Sequence, residues 1–248
     1  MSSNQSILSE IKNQVLYITL NNPEKHNCFG MSELEDIHRL LLGHQTDTDV
    51  KAVVFRGAGE RSFSTGANLK QFTALDQPGT MEWIKKGHDV FNYIENFPKP
   101  TVAVIQGFAL GGGLELALSC DFRIASEKAI FGSPELRHGW LPGWGGIHRL
   151  KKLLGEAAAK EFIFLADHHP AQDAYRLGLI HRLTPPESLD TETEALLEKL
   201  LLIHSDAFSM AKATISENGE SGPTSTSQVW FDVLSTLHSK RNVDKSLP

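Results

Sequence analysis

The chain has 248 residues, of which 40% are hydrophobic and 22% charged, a balance that excludes disordered and fibrous classes and suffices for a substantial core. Its formal net charge of −6 argues against a nucleic-acid partner as the main function, and no run approaches the roughly 18 apolar residues that would span a membrane. Cys28 and Cys120 lack metal or redox spacing and read as free thiols of a reducing compartment; with no signal-peptide pattern in Met1 to Ser6, a soluble cytoplasmic protein is expected.

Val15 to Leu20 is a β-branched run closed by Asn21-Asn22-Pro23 and reads as a strand. Met31 to Leu42 carries a helical stripe of Leu34, Ile37, Leu40 and Leu41, with Ser32 as its expected cap. Ala52 to Gly57 is a second strand, about Met81 to Phe97 a helix, and Thr101 to Ile105 a third strand. Strand, helix and strand in this order imply α/β architecture with a largely parallel sheet. Asp121 to Ala125 is strand-like, Gly155 to Leu165 and Ala171 to Leu177 are helices, and Leu179 to Leu183 is a short strand before Pro185-Pro186. From Asp190 to about Ala213 the pattern is helical, and a last helix is expected from about Gln228 to Leu237. The division falls near Pro185-Pro186, giving a core over residues 1–187 and a helical C-terminal part over 188–248. In that part Leu196, Leu197, Leu200, Leu201, Leu202 and Ile203 form more than one apolar stripe, which asks for a second surface and points to oligomerisation.

The stretch around which the chain is organised is Phe108-Ala109-Leu110-Gly111-Gly112-Gly113-Leu114-Glu115. Glycines opening an apolar helix present amide donors that lack intrahelical partners, at the end where the helix dipole favours negative charge. That suits an oxyanion or a phosphate. A Walker-type loop would continue Gly-Lys-Ser/Thr, whereas here Gly-Leu-Glu follows, and a carboxylate repels phosphate. A second carboxylate, Glu135, follows at 135 − 115 = 20 residues, held by Pro134 and followed by a loop containing Trp140, Leu141 and Trp144. Two carboxylates beside an amide-lined hole can take a proton from water and give one to carbon. Desolvation among Phe131, Leu141 and Trp144 would raise a carboxyl towards neutrality, as that role requires. His26, His138, His148, His168, His169 and His181 show no metal-ligand spacing; His168-His169 reads as a turn between helices, and His138 as a residue that could face the pocket. No metal is expected. Ser64 and Thr65 lack the surroundings of a nucleophile.

These two stretches, with Phe63-Ser64-Thr65-Gly66-Ala67-Asn68-Leu69 upstream, resemble the crotonase superfamily of enoyl-CoA hydratases and isomerases, from about Val15 to about Pro185. The resemblance implies a spiral of repeated ββα turns. It implies an oxyanion hole of the Ala67 and Gly112 amides around a CoA thioester carbonyl, with Glu115 and Glu135 as the acid–base pair. Residues expected in substrate and CoA binding are Lys25, Ala67, Asn68, Leu69, Lys70, Gly111, Gly112 and Pro134, together with Trp140 and Trp144, which as tryptophans in a glycine-rich loop read as the lining of an acyl pocket. Asn68 stands where the family usually has Asp, and Phe231 to Pro248 matches the family's closing segment only faintly, in Ser239-Lys240-Arg241. The implied function is a lyase that hydrates a 2-enoyl-CoA or runs the reverse dehydration. The rivals are an enoyl-CoA isomerase or CoA-ester hydrolase, and a non-enzymatic RNA-binding or scaffold member. No cofactor beyond the CoA of the substrate is expected, nor a nucleic-acid or membrane partner, and the family implies a homotrimer or a hexamer built as a dimer of trimers.

Overall fold

The computed structural model describes residues 5–216. The expected helix near Gln228 to Leu237 and the basic Ser239 to Arg241 segment lie outside the described residues. Ten strands and eight α-helices follow one another among the described residues. The first strands are β1 (Ile7–Lys12) and β2 (Val15–Leu20), and α1 (Met31–His44) follows. Three ββα turns come next. The first is β3 (Ala52–Gly57), β4 (Ser62–Ser64), the short α2 (Leu69–Phe72) and α3 (Gln77–Glu95). The second is β5 (Thr101–Ile105), β6 (Phe108–Leu110) and α4 (Gly112–Ser119). The third is β7 (Phe122–Ser126), β8 (Ile130–Gly132) and α5 (Gly146–Phe164). The chain continues through β9 (His168–Pro170), α6 (Ala171–Arg176), β10 (Arg182–Thr184), α7 (Leu189–Leu201) and α8 (Ser205–Ser216).

Each turn gives its first strand to a six-stranded sheet, ordered β1-β2-β3-β5-β7-β10, and its second to a four-stranded sheet, ordered β4-β6-β8-β9. Only the outer pairs β1–β2 and β8–β9 are antiparallel. This is the expected spiral.

The large sheet is buried on both faces, so its inner strands are continuously apolar rather than alternating. Leu16, Ile18, Val53, Phe55, Ala103 and Ile105 pack into the main core with α1, α3 and α4. Their neighbours Val15, Ala52, Val54, Val102, Val104 and Ile124 face the other way, as the two-residue period of a strand requires. Leu189, Leu196, Leu197 and Leu200 of α7 cover that second face. Much of the C-terminal leucine stripe is thereby buried on its own sheet, while Leu202 remains 87% exposed.

Several local expectations need correction. The cap of α1 is Gly30, whose N–H donates to Glu33 Oε2, and Ser32 sits inside the first turn. The helix expected from Gly155 starts at Gly146 and passes through a break at Gly155. The single helix expected from Asp190 to Ala213 is two, α7 and α8, with a break after Leu201. His168 and His169 belong to strand β9, where the His169 ring stacks on Phe162 at 3.8 Å, rather than to a turn between helices. The strand expected at Leu179 to Leu183 is confined to Arg182–Thr184.

Candidate active site

The parallel strands β4, β6 and β8 are neighbours in the small sheet, so the segments leaving their C-terminal ends emerge side by side. Those segments carry Ala67, Gly112 and Glu135. Ligands of open α/β sheets bind beyond the carboxyl ends of strands for this reason.

The loop after β4 is tied down on both sides. The N–H of Gly66 donates to the buried Ser64 Oγ at 2.9 Å, and that hydroxyl donates to Asn27 O at 2.8 Å. Ser64 is thus a strut of the loop. A lone bridge pairs Phe29 with Ala67: Phe29 N donates to Gly66 O at 2.8 Å and Asn68 N to Phe29 O at 2.9 Å. The bridge consumes the groups flanking Ala67, and the Ala67 N–H itself has no acceptor among the described residues. Gly112 opens α4, where helix geometry provides no acceptor for its N–H. Gly66, at φ +81°, lies against it so closely that a Cβ on Gly66 would collide with Gly112 N. Glycine at 66 is what lets the two amides approach each other.

Glu115 projects from the first turn of α4 and is only 4% exposed. Its Oε1 accepts the N–H groups of Trp144 and Gly146, both at 2.8 Å, and its Oε2 takes no hydrogen bond among the described residues. Burial above all, then the charge of Glu135, push its carboxyl up to about 7, against the two amides and Arg149, which favour the charged form. Glu135 stands in the short 3-10 helix Pro134–His138. Its Oε2 accepts Ser133 Oγ at 2.9 Å, and burial raises its carboxyl above the usual range, opposed by its own backbone N–H and by Ser133. Each carboxylate is therefore anchored by the fold through at least one oxygen. Leu141, expected to help desolvate the pair, is 68% exposed at the rim, and Phe131, in the middle of β8, is buried in the main core and lines neither cavity of the site.

Two cavities meet at this point, and Ala67, Gly112, Glu135 and Trp140 line both. The first, about 520 Å³, is walled by Phe72, Trp83, Ile84, Trp140, Leu141, Trp144 and Ile147 and reaches Glu115. Trp144 stacks on Phe29 with ring centres 5.6 Å apart and meets Trp83 and Phe91 edge-on, so this wall is rigid. The second cavity, about 770 Å³, brings in Lys25, Asn68, Leu69, Lys70, Gly111, Pro134 and His138. Every sequence-nominated site residue thus lines one cavity or the other, and His138 does face the pocket. Asn68, in the position usually held by Asp, caps α2 by accepting Gln71 N at 3.4 Å, a task the amide oxygen performs as a carboxylate would. The sequence reading missed Ser133, Phe29, Trp83 and Arg149. Ser133 adjoins Pro134-Glu135 and could have been noticed; the others become neighbours only through the fold. Among the described residues no group of three or more His, Cys, Asp or Glu side chains converges as metal ligands would.

A sequence profile described as Enoyl-CoA hydratase/isomerase matches residues 10–247. The chain is 34% identical over 211 residues to the short-chain-enoyl-CoA hydratase of Clostridium acetobutylicum, covering 85% of this chain and 81% of that one. It is 34% identical over 213 residues to the crotonyl-CoA hydratase of Syntrophomonas wolfei, covering 86% of this chain and 82% of that one. Among solved structures it superposes on an enoyl-CoA hydratase from Bacillus anthracis with a TM-score of 0.88 at 31% identity, covering 93% of this chain and 90% of the other. A spiral of ββα turns, paired amides and paired glutamates, and a match over nearly its whole length make this chain a member of the enoyl-CoA hydratase/isomerase family of the crotonase superfamily.

Proposed function

We propose that this chain is a hydro-lyase that adds water across the double bond of a 2-enoyl-CoA, or catalyses the reverse dehydration. The observation that carries the reading is the pair of carboxylates, Glu115 buried and Glu135 partly buried, each anchored through one oxygen, beside two amides that find no acceptor among the described residues. The thioester carbonyl accepts from the Ala67 and Gly112 N–H groups, which stabilise the charge that develops on its oxygen. Water oxygen bonds to Cβ and loses a proton to one glutamate, while the other glutamate delivers a proton to Cα. The net change is one water added, and a proton passed back through solvent restores the pair. The carboxylates must start in opposite protonation states. Burial raises both carboxyls, and the charge of Glu135 raises Glu115 further, which favours retention of a proton by the pair rather than by either residue alone.

An isomerase or thioester hydrolase needs only one such carboxylate, so two anchored carboxylates favour hydration, as do the hydratase names of the relatives. In the further reading, the larger cavity receives the CoA portion, with the 67–70 backbone at the adenine and Lys25 and Lys70 near the phosphates; the aromatic cavity receives the acyl group. The chemistry asks for no cofactor and no metal, since amide dipoles take the Lewis acid's part. Exposed Phe164, Leu165 and Leu202 support a homo-oligomer, a trimer or a dimer of trimers. Among the described residues no helix is long and apolar enough to cross a membrane, and a cytoplasmic location is part of the same reading.

The test is incubation with crotonyl-CoA in water enriched in heavy oxygen. The expected result is loss of the conjugated-thioester absorbance and a 3-hydroxyacyl-CoA labelled at Cβ. Migration of the double bond without label, or release of free CoA, would replace hydration by isomerisation or hydrolysis.

A further inference from the structure

Glu115 is held by backbone, and that backbone is itself held. Its two donors, Trp144 N and Gly146 N, lie on the loop leading into α5 rather than on its own helix. Arg149, one turn into α5 and 5% exposed, reaches back under this loop. Its Nη1 donates to Trp144 O at 2.7 Å, its Nη2 to Asn92 Oδ1 at 2.8 Å, and its Nε to Glu95 Oε2 at 2.8 Å. Asn92 and Glu95 are three residues apart on α3, so both present to the same face of that helix. Gly145 lies against the guanidinium so closely that a Cβ there would collide with Nη1. Each of the three nitrogens of the planar fork therefore donates one hydrogen bond, and only a guanidinium offers donors in this fixed arrangement.

We propose that Arg149, gripped by Asn92 and Glu95, is the positioning residue of the catalytic carboxylate: it clamps the 144–146 loop whose amides orient Glu115. The proposal rests on the hydratase reading of the site. A buried guanidinium is an expensive way to fasten a loop if fastening is its only task, because removing a charge from water is costly even when it is paired. Here the cost accompanies a catalytic requirement. A carboxylate that must present one oxygen to water or carbon loses rate steeply when displaced, by about 10²-fold for a displacement of about 1 Å. The clamp also sets the charge around Glu115. The charged groups facing that carboxylate are Glu135, which opposes its ionisation, and Arg149, which favours it. Behind Arg149 stand Glu95 and, 3.9 Å from Glu95, Lys152. Glu95 partly neutralises the guanidinium and so limits how far it can stabilise the Glu115 anion.

Two substitutions separate position from charge. Arg149→Lys keeps the charge but cannot reach Trp144 O, Asn92 and Glu95 together. It is expected to lower kcat by about 10-fold to 10²-fold, with KM for the CoA ester and the alkaline limb of the pH–rate profile little changed. Glu95→Gln keeps an acceptor for Nε but removes the neutralising charge, so the alkaline limb, where the pair loses its last proton, is expected to move to lower pH. A loop fastener without electrostatic reach to Glu115 would leave that limb in place. The proposal is overturned if Arg149→Lys keeps kcat within about twofold of wild type, or if Glu95→Gln leaves the limb unmoved. Should Arg149→Lys fail to fold, Glu95→Gln decides alone, with the Glu115 carboxyl followed directly by NMR of isotope-labelled glutamate. A wild-type chain that does not hydrate crotonyl-CoA would instead refute the underlying reading, which the same assays reveal before any variant is made.

Discussion

Glu115→Gln is expected to weaken catalysis and strengthen the fold, and the second effect should depend on pH in a defined direction. The carboxyl moves from 4.5 to about 7 on folding, chiefly through burial. At about 1.36 kcal/mol per pH unit this corresponds to about 3 kcal/mol. Between those pH values the native state binds more protons at this position than the unfolded chain does. Stability therefore falls as pH rises from 4.5 to about 7 and stays lower above it. Glutamine removes this titration, and its amide oxygen can still accept the Trp144 and Gly146 N–H groups. In thermal melts the variant should match wild type near the acid end of that window. By about pH 8 it should exceed wild type by roughly 6–12 °C, given about 2–4 °C per kcal/mol for a chain of this size. Hydration of crotonyl-CoA should fall by about 10²–10⁴-fold, the usual contribution of a positioned acid–base group. Glu115→Ala should share the loss of activity without the gain in stability, because it leaves two buried N–H donors unpaired at about 1–3 kcal/mol each. A difference in melting temperature that is the same at both pH values would refute the burial argument. Activity above about a tenth of wild type would refute the proton-transfer role.

Glu135→Gln should lower the hydration rate by a similar factor of about 10²–10⁴, measured on the same thioester. Ser133→Ala removes a hydrogen bond that favours the charged form of Glu135, so the acid limb of kcat/KM should move to higher pH; an unmoved limb would mean that Ser133 does not tune this carboxyl. Gly66→Ala should cost about 10²–10³-fold in kcat by forcing the Ala67 and Gly112 amides apart, with circular dichroism showing a folded chain; full activity would mean the oxyanion is held elsewhere. Light scattering at micromolar concentration should give a multiple of 27.4 kDa, and the mass of a single chain would exclude the proposed assembly.

What the sequence made legible follows from the range over which each signal acts. Strands β2, β3 and β5 of the large sheet are five or six residues rich in β-branched and apolar side chains, long enough to be read, whereas β1, mostly exposed, and the three-residue β10 carry no such run. The small sheet is built from three-residue strands at β4, β6, β8 and β9, too short for any periodicity to show. The site was legible where it is local: glycines opening a helix, a glutamate three positions on, and a proline-held glutamate. Its supports were not. Arg149 contacts Asn92 and Glu95 across 57 and 54 residues of chain, and Glu115 is oriented by main-chain donors about 30 residues away, whose side chains carry no trace of the role. The start of α5 was misplaced for a related reason. Its cap Gly145 and first residue Gly146 carry the sequence signature of a loop, while the tertiary contact with Glu115 and Arg149 makes them a helix entrance.

Every residue of α4 is buried, and Glu115 is the only charged side chain in it. A helix so placed would be more stable with an apolar residue there, and the about 3 kcal/mol attached to the ionised carboxylate is a substantial share of the 5–15 kcal/mol by which a domain is usually stable. The fold can sustain it because the large sheet is covered on both faces, by α1, α3 and α4 on one side and α7 on the other. Exposing Glu115 would relieve the cost, but would also return its carboxyl to the ordinary range, where it could not retain a proton near neutral pH. In the proposed hydratase reading, the burial that weakens the fold is also what raises this carboxyl towards working pH, so that the instability has a use. The Trp144 and Gly146 amides and the Arg149 clamp act in the opposite sense, favouring the anion enough that the proton can also be released. Catalytic competence at this position is a balance between those two pressures, and the variants above shift it in either direction.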